Sequence, residues 1–216
     1  MVLDFKKNDV VVFDGDSLTR RSMTVNRNDW PYLRLMNWDD SWANTVEELM
    51  FCWRPELDLK FFNTAVGGST SQDLFNRVEE CVLPLNPNWV IVTIGTNDSN
   101  ISTLSEFDEM MRKYIERLNE KILVKVLLLG GFRESAKFVG EKACYNRAIP
   151  FFEALKQIAV DTGNYYLDVG EILAKKSEIL FKQSEAHTVF GDGVHFNKIG
   201  NNIIAGEVLK AFGIIK

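Results

Sequence analysis

Short apolar runs alternate along this chain with stretches whose apolar residues recur every three or four positions. Runs at residues 10–13, 59–62, 89–94 and 122–129 are rich in Val, Ile, Leu and Phe and lack polar alternation. Strands covered by helices on both faces read this way, because neither face meets water. A weaker fifth run lies at 165–169. Between them, residues 42–53 and 104–118 place apolar side chains at helical spacing. Ser71 predicts the N-cap of a helix reaching about Val82. Residues 143–160 show the same spacing, with Pro150 predicting a kink or a break. Asn197 predicts the N-cap of a closing helix over 198–212. Strand and helix in alternation imply a three-layer α/β fold around a parallel sheet, one domain over residues 1–216. Residues 19–41 break the pattern: this long segment carries Arg20, Arg21, Trp30, Tyr32 and Trp38 with little periodicity.

Composition changes this picture little. With 216 residues, 46% of them hydrophobic, the chain can bury one substantial core. A net charge of −5 offers no electrostatic case for nucleic acid or an anionic membrane as partner. Cys52, Cys81 and Cys144 are odd in number and widely separated, which fits free thiols in a reducing compartment rather than a disulfide framework or a zinc site. The first residues lack the basic start and apolar run of a secretion signal, and no apolar run has the length of a membrane span. The expectation is a cytoplasmic enzyme.

Ligands of an open parallel sheet bind beyond the carboxyl ends of its strands. Glycine-rich or polar clusters stand there after four of the predicted strands: residues 14–18, 63–69, 95–98 and 130–133; a further cluster, Asp192-Gly193-Val194-His195, precedes the closing helix. Together they contain the parts of an acyl-transfer site. Ser17 supplies a hydroxyl nucleophile on a turn eased by Gly15. His195, one of two histidines, is the candidate base, and Asp192, three residues earlier, can orient it. The Ser17 and Gly68 backbone N–H groups and the Asn97 side-chain amide are the candidate oxyanion donors, with Gly67 an alternative to Gly68. Arg133, Trp30 and Trp38 are candidate substrate contacts. Asp16 and Asp98 read as structural carboxylates that bond loop backbone. His187 has no carboxylate at matching spacing and reads as a loop histidine.

These residues in this order resemble the SGNH hydrolases, also called the GDSL family. Gly15-Asp16-Ser17-Leu18 matches its nucleophile block, and residues 63–68 its glycine block. Gly95 to Asp98 matches its Gly-x-Asn-Asp block, and Asp192 to His195 its Asp-x-x-His block. The resemblance implies a flavodoxin-like domain with a central five-stranded parallel sheet, no metal and no cofactor. It also implies ester cleavage through an acyl-enzyme intermediate, in a family that includes esterases, lipases, thioesterases and carbohydrate deacetylases, and it favours Gly68 over Gly67. Within that range the aromatic-rich 19–41 segment, the lack of a secretion signal and the single compact domain point to small acyl or acetyl esters, acetylated carbohydrates among them. Two departures stand out: Phe196 follows the histidine where the family often has proline, and the 19–41 segment is long.

Two rival readings come from other classes. Residues 11–18 also look like the first motif of Mg-dependent haloacid-dehalogenase-type phosphatases, in which Asp14 would attack phosphorus and Asp16 would act as acid/base. Leu18 and the lack of a suitable late acidic motif count against it, and it leaves Asn97 and His195 unexplained. A non-catalytic binding module on the same fold would have no use for the complete set of triad and oxyanion residues.

Overall fold

A computed structural model of the protein describes residues 3–20, 41–132, 144–183, 189–190 and 194–216. Five parallel strands form one sheet: β1 (Val10–Gly15), β2 (Lys60–Asn63), β3 (Trp89–Thr93), β4 (Lys125–Gly130) and β5 (Tyr165–Asp168), in the order β2-β1-β3-β4-β5. The three inner strands are buried almost throughout, as their unbroken apolar runs require. The edge strands β2 and β5 are shorter and only partly buried.

The helices are α1 (Trp42–Trp53), α2 (Ser71–Arg77), α3 (Asp98–Ile101), α4 (Leu104–Lys121), α5 (Cys144–Asp161), α6 (Gly170–Gln183) and α7 (Lys198–Ala211). Right-handed crossovers dictate their sides. The chain moves from β1 outward to β2 through α1, then reverses and travels across β3, β4 and β5. Helices of the second journey therefore lie on the opposite face from α1. Accordingly α1 packs on α7, while α2, α4 and α5 form a second contiguous group. The reversal leaves a crevice between the carboxyl ends of β1 and β3, where ligands of such sheets bind. Gly15 and Thr93 face each other there.

Four local expectations are corrected. The run at 122–129 joins two elements: Ile122 caps α4, Leu123 is fully exposed, and β4 starts at Lys125. Thr70, not Ser71, caps α2, through a reciprocal box with Asp73. The Ser71 hydroxyl is engaged elsewhere, donating to Asp98 Oδ1 at 2.6 Å. Beyond Arg77 that helix widens into a π turn over Val78–Val82. Pro150 does not interrupt α5, which is held to the core on both sides of the proline by buried Ala148 before it and Phe152, Leu155 and Ile158 after it. Helix α6 was not anticipated: Ser177 sits on its buried side and breaks the apolar stripe. Among the described residues no helix is long and apolar enough to cross a membrane.

Candidate active site

Ser17 stands on the tight turn that follows β1. Gly15 permits that turn: its φ is +136°, and a Cβ there would collide with the Thr93 carbonyl oxygen. Asp16 N donates to that same carbonyl at 3.3 Å, so the turn is laid directly against β3. The Asp16 side chain then accepts from Leu18 N at 2.9 Å, and its carbonyl accepts from the N–H groups of Thr19 and Arg20. The Thr19 and Thr93 hydroxyls bond each other in the core. These contacts leave the Ser17 side chain half-buried.

His195 arrives from the far end of the chain. Phe196, next to it, is buried against Phe132 and Phe190, with ring centroids 5.2 Å away in each case. A bridge between Phe190 and Phe196 closes the base of the loop, and Asn197 caps α7 by accepting from Ile199 N and Gly200 N. The phenylalanine that departs from the family pattern is thus the anchor of this loop. So held, His195 Nε2 lies 2.9 Å from Ser17 Oγ. The two side chains are in hydrogen-bond reach although they lie 178 positions apart in the chain.

The other two oxyanion candidates come from the turns after β2 and β3. Gly68 has φ +80° and open space where a Cβ would stand, so its backbone is accessible. Gly67 has another reason to be glycine: the Arg20 guanidinium lies 2.9 Å from its would-be Cβ, which in turn would lie 3.8 Å from the Ser17 Cβ. Asn63, at the end of β2, ties the two turns together by donating to Thr19 O at 2.8 Å. Asn97 starts α3, yet its side chain makes no cap bond. Its amide Nδ2 instead donates to Ser69 O at 2.9 Å, with Asp16 Oδ2 at 3.4 Å. The Ser69 carbonyl, and not the start of α3, therefore holds this side chain. Among the described residues, neither Ser17 N nor Gly68 N donates to any acceptor.

Two buried carboxyls flank the site. Burial raises the Asp16 carboxyl to about 7; the neighbouring Asp98 adds to this, while the Leu18 N–H and His195 oppose it. Burial likewise raises Asp98, offset by the bonds it accepts from the Ser71 hydroxyl and N–H. Asp14 is fully buried and committed: it accepts from Tyr114 OH at 2.9 Å, Gly15 N at 2.9 Å and Arg77 Nη2 at 2.7 Å. A carboxylate so enclosed cannot reach a phosphoryl group, and the phosphatase reading fails on that geometry. Arg77 and Tyr114 were not singled out from the sequence, and Arg20 and Ser69 stood within the 19–41 and 63–69 segments without a role of their own. Asp192, His187, Trp30, Tyr32, Trp38 and Arg133 lie outside the described residues.

The chain matches the GDSL-like lipase/acylhydrolase family over residues 13–203. It is 27% identical over 172 residues to an acetylxylan esterase of Geobacillus stearothermophilus, with 74% of each protein covered. The crystal structure of an acetylxylan esterase from that organism superposes with a TM-score of 0.77 at 22% identity, over 98% of this chain and 97% of the other. Catalytic mutants of that esterase carry alanine in place of a serine, an aspartate or a histidine. A candidate GDSL-like lipase of Parabacteroides merdae superposes with a TM-score of 0.81 at 19% identity, over the whole of both chains.

Proposed function

The chain belongs to the GDSL-like lipase/acylhydrolase family, and from that membership we propose that it hydrolyses acetyl esters of carbohydrates as a single catalytic domain, with Ser17 as nucleophile, His195 as general base and Asp192 as the group that orients the base. The family sets the reaction class, hydrolysis of carboxylic esters. One observation carries the assignment of residues, the 2.9 Å contact between Ser17 Oγ and His195 Nε2.

The chemistry follows from that contact. For Nε2 to accept the serine proton, Nδ1 must carry the ring's other proton, and a carboxylate at Asp192 would fix that tautomer. Ser17 Oγ attacks the ester carbonyl as His195 takes its proton. The carbonyl oxygen gains negative charge between the Ser17 N–H, the Gly68 N–H and the Asn97 amide, which bind it more strongly than the ground-state ester. Collapse breaks the bond to the alcohol, which leaves with the proton from His195. Water, deprotonated by His195, then attacks the acyl-serine; acetate departs and Ser17 recovers its proton. The acetyl group and carbohydrate alcohol rest on the acetylxylan esterase relative.

Ser17→Ala should keep the fold and lower kcat by roughly 10³–10⁶, toward what binding and the oxyanion hole alone provide. His195→Ala should act similarly. The measurement is acetate release from acetylated xylooligosaccharides beside p-nitrophenyl esters of increasing chain length. More than about a tenth of wild-type kcat in Ser17→Ala would refute the nucleophile, and the same in His195→Ala would refute the base. A preference for long acyl chains would refute the substrate class alone.

A further inference from the structure

Arg77 closes α2 about sixty residues after the nucleophile, and its side chain is only 13% exposed. One guanidinium there spans two turns of the site. Nη2 donates to Asp14 Oδ1 at 2.7 Å and to Gly15 O at 2.9 Å. Nη1 donates to Ser69 Oγ at 2.8 Å. Asp14 is locked in turn by Tyr114 OH and Gly15 N, each at 2.9 Å. Burial and the facing Asp14 carboxylate hold the Tyr114 phenol well above its ordinary range, so it stays a donor.

The reach of this fork matters more than its strength. Gly15 is two residues from Ser17, and Ser69 follows Gly68. The Ser69 carbonyl also accepts the Asn97 amide at 2.9 Å. Each of the three candidate donors thus lies within two residues of an Arg77 contact or hangs from the residue that makes one. Arginine suits this task, because its planar fork fixes the angle between two partners where an ammonium would act as a point charge. The arrangement also has a cost a filler would avoid. Among the described residues Arg77 Nε is buried without a hydrogen-bond partner, and a well-packed apolar pair can match a buried ion pair in stability.

We infer that Arg77 is a positioning residue for the oxyanion hole, setting the separation of the Ser17 turn from the Gly68–Ser69 turn through Asp14, Gly15 and Ser69. The inference rests on Ser17, Gly68 and Asn97 acting as proposed above. Donors aimed at an oxyanion are sensitive to small displacements, and a shift of about 1 Å can cost on the order of 100-fold in rate.

The test compares Arg77→Lys, Arg77→Met and the double variant Asp14→Asn/Arg77→Met, in which no carboxylate is left buried without a partner. Active sites are titrated with a fluorophosphonate, then kcat per site and KM are measured on one acetyl ester. Affinity for a boronic acid, which forms a tetrahedral adduct on Ser17, is measured alongside. The double variant should be folded and titrate fully, with kcat per site lowered about 10- to 100-fold, KM within about threefold of wild type, and boronate affinity reduced by a similar factor to kcat. Arg77→Lys should recover part of the loss. In a further variant, Arg77→Ala, which leaves room for the ion, added methylguanidinium should raise kcat. Should the single variants fail to fold, the double variant decides. Unchanged kcat per site and unchanged boronate affinity in the double variant would reduce Arg77 to a stabiliser of the fold. Full activity in Ser17→Ala would instead sink the reading beneath it.

Discussion

Asn97→Ala separates catalysis from stability because the structure assigns this side chain so little structural work. It makes no cap bond to α3, and it is held by one hydrogen bond, from Nδ2 to Ser69 O at 2.9 Å, with a long contact to Asp16 Oδ2. Deleting one part-buried hydrogen bond of this kind costs about 1 kcal/mol. For a chain of this length that lowers Tm by roughly 2–4 °C. Loss of a donor aimed at the oxyanion costs about 10²–10³ in kcat, or roughly 2.7–4 kcal/mol, with KM little changed. The catalytic loss should therefore exceed the stability loss several-fold in free energy. The assay is a fluorophosphonate titration of active sites, kcat and KM per titrated site on a p-nitrophenyl acetate, and calorimetric Tm on the same sample. Asn97→Asp should be at least as damaging, since a carboxylate would face both the Ser69 carbonyl and the developing charge. Normal kcat per site with a Tm lowered by more than about 4 °C would refute the reasoning and make Asn97 a structural residue.

Two further outcomes follow from particular contacts. Gly15→Ala would drive a Cβ into the Thr93 carbonyl at positive φ, so stability should fall by at least about 3 kcal/mol; Gly68→Ala meets open space and should cost only about 1–2 kcal/mol for its φ. Equal losses in urea unfolding would contradict that reading of the two turns. Asp16 holds its proton up to about pH 7 when folded but releases it near pH 4 when unfolded, so its contribution to stability is full below pH 4 and fades as pH rises to 7. Asp16→Asn should remove up to about 4 kcal/mol of that decline, read as the stability difference between variant and wild type at pH 4 and at pH 7.5. A difference that does not change with pH would show that the folded carboxyl is not raised.

Local signals carried the order of the strands, most of the helices and most of the candidate site, with α6 the exception. Buried strands need unbroken apolar runs, so the three inner strands and the helix starts at Trp42 and Lys198 were legible from single stretches of chain. Turns that require glycine, and polar groups gathered just past strand ends, marked Gly15, Ser17, Gly68 and Asn97. The chain's own order cannot tell which side chains meet across the sheet. That depends on β1 lying between β2 and β3, which brings residue 15 beside residue 93 and the turns after three strands to one crevice. Only there does His195 reach Ser17. Only there does Asp14, a plausible nucleophile by its motif, become a buried partner of Arg77 and Tyr114. Ser71 shows the same effect on a small scale. Its hydroxyl suits an N-cap, but Asp98, which opens α3 beyond β3, claims it, and Thr70 takes the cap. A polar side chain's partner is settled by the strongest unsatisfied group within reach, and reach is a property of the folded sheet.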